Sequence, residues 1–415
     1  MKKLIMSLII GSLLILITAC GQDSSSGSLK VSKNVEFEEN DFEKIISANN
    51  KLALDLLPNL KENENGNIFI SPTSLFMALS MVYNGSDATT KEEIAKVLNS
   101  EGIDIEEMNE ANASLLSKLH NESEEIELDL ANSIWLNESF HFQEEFAQNN
   151  RDYFNAEITE INILDNKSVD LINKWVSDST NNKIDEMVKA PLDPDLVALI
   201  INAVYFKGDW KYKFNENETV EKSFYLEDGT TKTIPLMSLN KELSYMENDH
   251  FQAVSLPYGE GDMSMNVFLP RENSTIEEFE KTLTIENLEK WNSEFIPTEG
   301  TVRLPKFKME YEMVLNEPLK TLGMTSAFEK YANFSKMIQE DDPIWISKVV
   351  QKTFIDVNEK GSEAAAATKV EIVEESAPAN SYEMEVNRPF FITITHHETG
   401  AILFMGSIAD PSKGK

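Results

Sequence analysis

Side chains that commonly do chemistry are sparse in this 415-residue chain. The histidines are His120, His141, His250, His396 and His397, and the single cysteine is Cys20. No histidine has metal-ligand spacing to a carboxylate. His396 and His397 are adjacent on an expected strand, which points them to opposite faces. There is no G-x-S-x-G elbow, P-loop, H-E-x-x-H or G-x-G-x-x-G. No catalytic residue, metal or cofactor is expected, and an enzyme has no motif to rest on. The unusual stretch is EKGSEAAAATKVEIVEESAPANSYE, residues 359–383. Read as a strand from Ser362, one face carries Ser362, Ala364, Ala366, Thr368, Val370 and Ile372. The other carries Glu363, Ala365, Ala367, Lys369, Glu371 and Val373. One uncharged row beside one mostly charged or small row is the pattern of a half-buried strand. The Pro378-to-Ser381 end is loop-forming, and alanine is the best helix former. Two readings stand: a surface loop with a short helix through the alanines, or a segment that is loop in one state and strand in another.

A switching segment needs a sheet to receive it. Strand patterns occur at 125–130, where Ile126, Leu128 and Leu130 alternate with charges, and at 263–270 and 344–357. LVALIINAVYF, 196–206, is apolar on both faces, as in a central strand. PFFITI and AILFMG close the chain as two more strands, and Asp228-Gly229 marks a hairpin. Helix spacing runs through 41–60, 106–119, 143–155 and 168–181. Ser71-Pro72 opens a helix that closes at Asn84-Gly85, and Thr90 with Glu93 reads as a capping box for the next. The mixture predicts an α+β fold.

The formal net charge is −34. Nucleic acid and other polyanions are therefore excluded as partners. Lys2 and Lys3 precede an apolar run from Leu4 to Ala19, a signal-peptide pattern too short for a span of about 20 residues. Ile17-Thr18-Ala19-Cys20 resembles a bacterial lipobox, which makes Cys20 a lipidated N-terminus. The expected organisation is a lipoprotein signal peptide over 1–19, a lipidated flexible tether over 20–40, and a single domain over 41–415. The protein is then held on the outer face of a membrane, extracellular or periplasmic, through its lipid alone.

Four motifs in order resemble the serpin family, and the match covers about residues 42 to 411. They are NIFISPTSLFMALSMVYNGSDATTKEEI (67–94), VALIINAVYFKGDW (197–210), the hinge Glu359-Lys360-Gly361-Ser362-Glu363-Ala364-Ala365-Ala366-Ala367, and MEVNRPFFITI (384–394). The resemblance implies about three β-sheets, eight or nine helices and an exposed reactive-centre loop over about 359–386. It also implies a monomeric inhibitor acting as a suicide substrate. A target proteinase attacks the loop and forms an acyl-enzyme, and the freed hinge side, about 362–373, inserts into the main sheet.

The resemblance implies a residue before the cut about sixteen positions after Glu359, which selects Glu375-Ser376, with Glu374 and Ser376 as neighbouring choices for the residue before the cut. Glu375 suits a glutamyl-specific serine proteinase, whereas Val373-Glu374 suits a subtilisin- or elastase-like one. Ser71, Ser74 and Asn202 match a polar cluster beneath the main sheet. The family's common histidine there is replaced by Gln351, which cannot charge. Trp210 matches a tryptophan where the loop enters, and Lys306 with Glu359 matches an ion pair at the loop base. A non-inhibitory serpin acting as a binding protein or chaperone, and an inhibitor of cysteine proteinases, are the alternatives. The small hinge run argues against the first.

Overall fold

Short-range signals set the first elements. In chain order the helices are α1 (Glu43–Leu56), α2 (Pro72–Gly85), α3 (Ala88–Val97), α4 (Ile105–Leu119), α5 (Glu144–Phe154), α6 (Asn166–Asp178), α7 (Ile276–Glu280), α8 (Ile285–Glu294) and α9 (Asn316–Leu322). The strands are β1 (Ile126–Asn137), β2 (Glu157–Ile161), β3 (Ala198–Asp209), β4 (Val220–Tyr225), β5 (Thr231–Glu247), β6 (Phe251–Tyr258), β7 (Met263–Pro270), β8 (Ile296–Pro305), β9 (Phe307–Val314), β10 (Ile346–Val357), β11 (Gly361–Ser362), β12 (Tyr382–Glu385), β13 (Phe390–His396) and β14 (Ile402–Ile408). This computed structural model describes residues 31–120, 125–362 and 381–412. Cys20, Glu363, Ala364, Ala365, Ala366, Ala367, Glu374, Glu375 and Ser376 lie outside the described residues.

Ser71 caps α2 as expected: its hydroxyl accepts from the Ser74 amide, and Pro72 fills the first helical position. All 14 residues of α2 are buried, so it forms the spine of the molecule. The Thr90/Glu93 capping box does not form. Asp87 caps α3, and Thr90 and Glu93 lie inside it. Both reach across to another segment: Thr90 Oγ1 accepts from the Asn333 amide at 2.9 Å, and Glu93 Oε2 from the Ser326 amide at 2.6 Å. The local pattern was right for a box, but tertiary partners claimed both side chains. Residues 31–40, expected within the tether, also run against the body. The Ser32 amide donates to the Asp152 carbonyl, the Ser114 hydroxyl donates to the Glu39 carbonyl, and Val31 packs on the core.

Two sheets form among the described residues. The six-stranded sheet has the order β2-β1-β3-β11-β10-β9. The other runs β12-β8-β5-β6-β7-β13-β14, with β4 on β5. The expectation of about three sheets differs because β5 is 17 residues long. It pairs with β4 at its start, β8 through its middle and β6 over its last four residues, which joins two sheets into one.

The doubly apolar run at 196–206 is explained by β3. Ile200 and Val204 join the large core containing α2, while Leu199, Ile201 and Tyr205 join a second core under α6. β1 divides the same way, with Leu128, Leu130 and Ile134 on the α2 side and Trp135 on the α6 side. The six-stranded sheet is thus a middle layer covered on both faces.

Candidate functional site

The site lies along the seam between β3 and β10. These strands pair directly in parallel, from Ile346↔Ala198 to Phe354↔Tyr205. Beyond Tyr205 the strands part, and β11 lies between them. Ser362 pairs with Val357 of β10 and Gly208 of β3, antiparallel to both. Gly361 is required there: a Cβ would meet the Gly208 carbonyl oxygen at 2.0 Å. The backbone of β11 therefore approaches β3 as closely as backbones can.

Around β11 is an aromatic and charged collar. The Trp210 indole donates to the Asn358 carbonyl at 2.9 Å, and the Trp210 amide donates to the Lys360 carbonyl at 2.8 Å. The Trp210 ring stacks on Tyr258 with centroids 4.4 Å apart, and the Tyr258 hydroxyl and Ser362 Oγ share a 2.7 Å hydrogen bond. Burial pushes the Tyr258 phenol up, so it stays neutral. Lys306 Nζ is 2.9 Å from Glu359 Oε2, and Thr219 Oγ1 donates to Glu359 Oε1 at 2.8 Å. Burial opposes ionisation of Glu359. The bonds from Lys306, the backbone and Thr219 outweigh it and hold the carboxyl below the ordinary range.

About 20 Å away along β3, taking six residues at about 3.3 Å each, the seam is crossed by a neutral polar row. Asn132 of β1, Asn202 of β3 and Gln351 of β10 are in register. Asn202 Nδ2 donates to Asn132 Oδ1 at 2.5 Å and to Ser74 Oγ. Gln351 Nε2 donates to Asn202 Oδ1 at 2.5 Å and to the Ser71 carbonyl at 2.8 Å. Its Oε1 accepts from the Ser71 amide at 3.0 Å, and the Ser71 hydroxyl donates to the Leu403 carbonyl at 2.7 Å. Both amide hydrogens and the oxygen of Gln351 are used, which suits a primary amide. The row ties β3, β10 and the start of α2 into one buried network.

The structure therefore brings Ser71, Ser74, Asn202 and Gln351 together, and separately Trp210, Lys306, Glu359, Gly361 and Ser362. Two members were missed in the sequence. Asn132 had a signal: it is the one polar residue in the row Ile126, Leu128, Leu130, Asn132, Ile134, Leu136. Tyr258 ends an apolar strand, and only a buried hydroxyl needing a partner marked it. The seam's outer face carries Lys352, paired with Glu310 and 3.6 Å from Glu312, whose Nζ also donates to the Glu186 carbonyl at 2.8 Å.

Comparison with known proteins agrees with this geometry. The family model described as "Serpin (serine protease inhibitor)" matches residues 47–411. The chain is 34% identical to the leukocyte elastase inhibitor of Bos taurus, over 89% of this chain and 100% of that one. It is 33% identical to an uncharacterized serpin-like protein of Methanosarcina mazei, over 88% and 87% of the two chains. The crystal structure of a thermophilic serpin, tengpin, in the native state superposes with a TM-score of 0.83 at 33% identity, covering 93% of this chain and 97% of that one.

Proposed function

The chain belongs to the serpin family, and from that premise we propose that it is a suicide-substrate inhibitor of a serine proteinase rather than an enzyme. The observation that carries this reading is β11. Two residues of the hinge already lie between β3 and β10, antiparallel to each. Extending that strand replaces one parallel pairing with two antiparallel ones, which are slightly stronger per residue.

The chemistry follows from the acyl-enzyme step. The target's serine oxygen attacks the carbonyl carbon of Glu375, and the Glu375–Ser376 peptide bond breaks. The acyl group stays on the serine, and Ser376 leaves as a free amine. Released from tension, the hinge side continues β11 along the seam and separates Gln351 from Asn202. On the order of ten new backbone hydrogen bonds, each worth about 0.5–1.5 kcal/mol net, drive the step. Burial of Val370 and Ile372 adds about 1.5–3 kcal/mol each. The tethered proteinase is carried along before water completes hydrolysis. A glutamyl-specific enzyme is the favoured target, and a subtilisin- or elastase-like one cutting at Val373-Glu374 is the alternative. The inhibitor works as a monomer at the outer membrane face, held by lipidated Cys20.

The test is a panel of glutamyl-specific, elastase-like and subtilisin-like proteinases. A trapped enzyme should form an SDS-stable complex and release a C-terminal fragment beginning at Ser376. If every enzyme that cuts the loop is released active, the inhibitor reading fails. Cys20→Ser should free the protein from the membrane fraction, and retention of the variant would overturn the anchor.

A further inference from the structure

Inserting a strand between β3 and β10 widens the seam by about 4.8 Å. Whatever bridges the outer face of that seam must then move. The segment 179–188, which follows α6, is such a bridge. Its Ile184, Met187 and Val188 pack in one cluster with Leu199, Ile201 and Tyr205 of β3 and with Val350 and Phe354 of β10. At the far side, Asn181 takes a left-handed conformation, φ +49°. Its amide donates to Glu127 Oε1 at 2.5 Å and to Asp129 Oδ2 at 3.3 Å, both on β1.

Asp129 is out of place in this setting. It is 2% exposed, and among the described residues its Oδ1 meets no hydrogen-bond partner. A buried carboxylate without partners is costly, whereas a neutral carboxyl is tolerated. The groups around it offer little compensation. Glu127, two residues away on the same face, is an acid. Lys207 of β3 lies 4.0 Å from Glu127. Tyr205 of β3 is in register with Asp129, and Lys183 of the crossing segment is half-buried.

We propose that Asp129 is an acid-strengthened catch: as a neutral carboxyl it holds segment 179–188 down across the seam, and as a carboxylate it lets the segment lift and β3 and β10 part. Burial, then the charge of Glu127, push the group up to about 7 in the closed form. Once the segment lifts and water enters, Asp129 returns towards its ordinary value near 3.9. The closed form therefore holds a proton that the open form releases. Opening becomes more favourable as pH rises from about 4 to about 7, by up to about tenfold per unit, and levels off above that. The catch rests on the seam-opening reading of function, but its measurement needs no proteinase.

The test is hydrogen exchange by mass spectrometry on the full chain, following 179–190 from pH 5.5 to 8 with correction for intrinsic exchange. Opening of this segment should rise about tenfold or more up to pH 7 and then plateau. Asp129→Asn, a permanently neutral isostere, should stay protected with a flat profile. Glu127→Gln removes the neighbouring charge and should move the midpoint to lower pH, which keeps the test open if the first variant folds poorly. A flat wild-type profile, a wild-type profile in Asp129→Asn, or an unmoved midpoint in Glu127→Gln overturns the catch. Such a result leaves proteinase trapping standing, and a failure to trap leaves the exchange profile standing.

Discussion

The middle of the seam and its hinge end are held by opposite kinds of chemistry. At the middle, Asn132, Asn202, Gln351, Ser71 and Ser74 form a network that is neutral and buried throughout. At the hinge, Glu359 and Lys306 form an ion pair whose lysine side chain is 44% exposed, beside the stacked rings of Trp210 and Tyr258. Neutral bonds in a dry interior do not respond to salt or protons, and each is costly to leave unmade. A half-exposed ion pair is weak and titratable. In the proposed mechanism the middle sets a fixed barrier to parting, while the hinge positions the segment that would enter first.

The comparison breaks most sharply at Gly361. A Cβ there would meet the Gly208 carbonyl at 2.0 Å and the Asp209 Cα at 2.7 Å, both backbone atoms that cannot step aside. Gly361→Val should expel β11 and turn the protein into a plain substrate. The stoichiometry of inhibition against a trapped proteinase should rise at least tenfold, with the middle network intact. The next effect belongs to Asn202. Asn202→Ala leaves Gln351, Asn132 and Ser74 each short of a partner. At about 1–3 kcal/mol per unsatisfied buried group, the uninserted state should lose several kcal/mol in urea unfolding. Its spontaneous conversion to a heat-resistant form should quicken. Equal effects of the two variants on stability would erase the distinction between hinge and middle.

How much of this was readable follows the range of each interaction. The α2 cap needed only Ser71 and Pro72, and the sequence displays it. The doubly apolar run of β3 likewise announced a covered central strand. The Thr90/Glu93 pattern misled because Ser326 and Asn333, more than two hundred residues away, hold those side chains in the fold. The union of two sheets through β5 depends on register, which alternation does not encode. Ser71, Ser74, Asn202, Gln351, Trp210 and Lys306 were placed by family resemblance, and no spacing rule joins them. Asn132 was visible as a polar break in an apolar row. Tyr258 joins the hinge site only through its contact with Ser362, 104 residues on.

The smallest effect sharpens the comparison through pH. Glu359 has its carboxyl held below the ordinary range, because hydrogen bonds from Lys306, the backbone and Thr219 exceed the opposing cost of burial. A lowered folded value means that its stabilisation is present above the ordinary glutamate value, about 4.3. It is lost as pH falls through the folded value. The wild-type hinge should therefore loosen only in acid, below about pH 4.3. Glu359→Gln keeps a hydrogen-bonding side chain but removes the charge. It should lower stability by about 1 kcal/mol at pH 7, the scale of a partly exposed pair, and should flatten the acid limb. Denaturant midpoints from pH 3 to 7 for both proteins measure this. A variant as acid-sensitive as the wild type would move the titrating group away from the hinge. The neutral middle network contributes nothing to that limb, so any acid sensitivity left in Glu359→Gln must arise elsewhere in the fold.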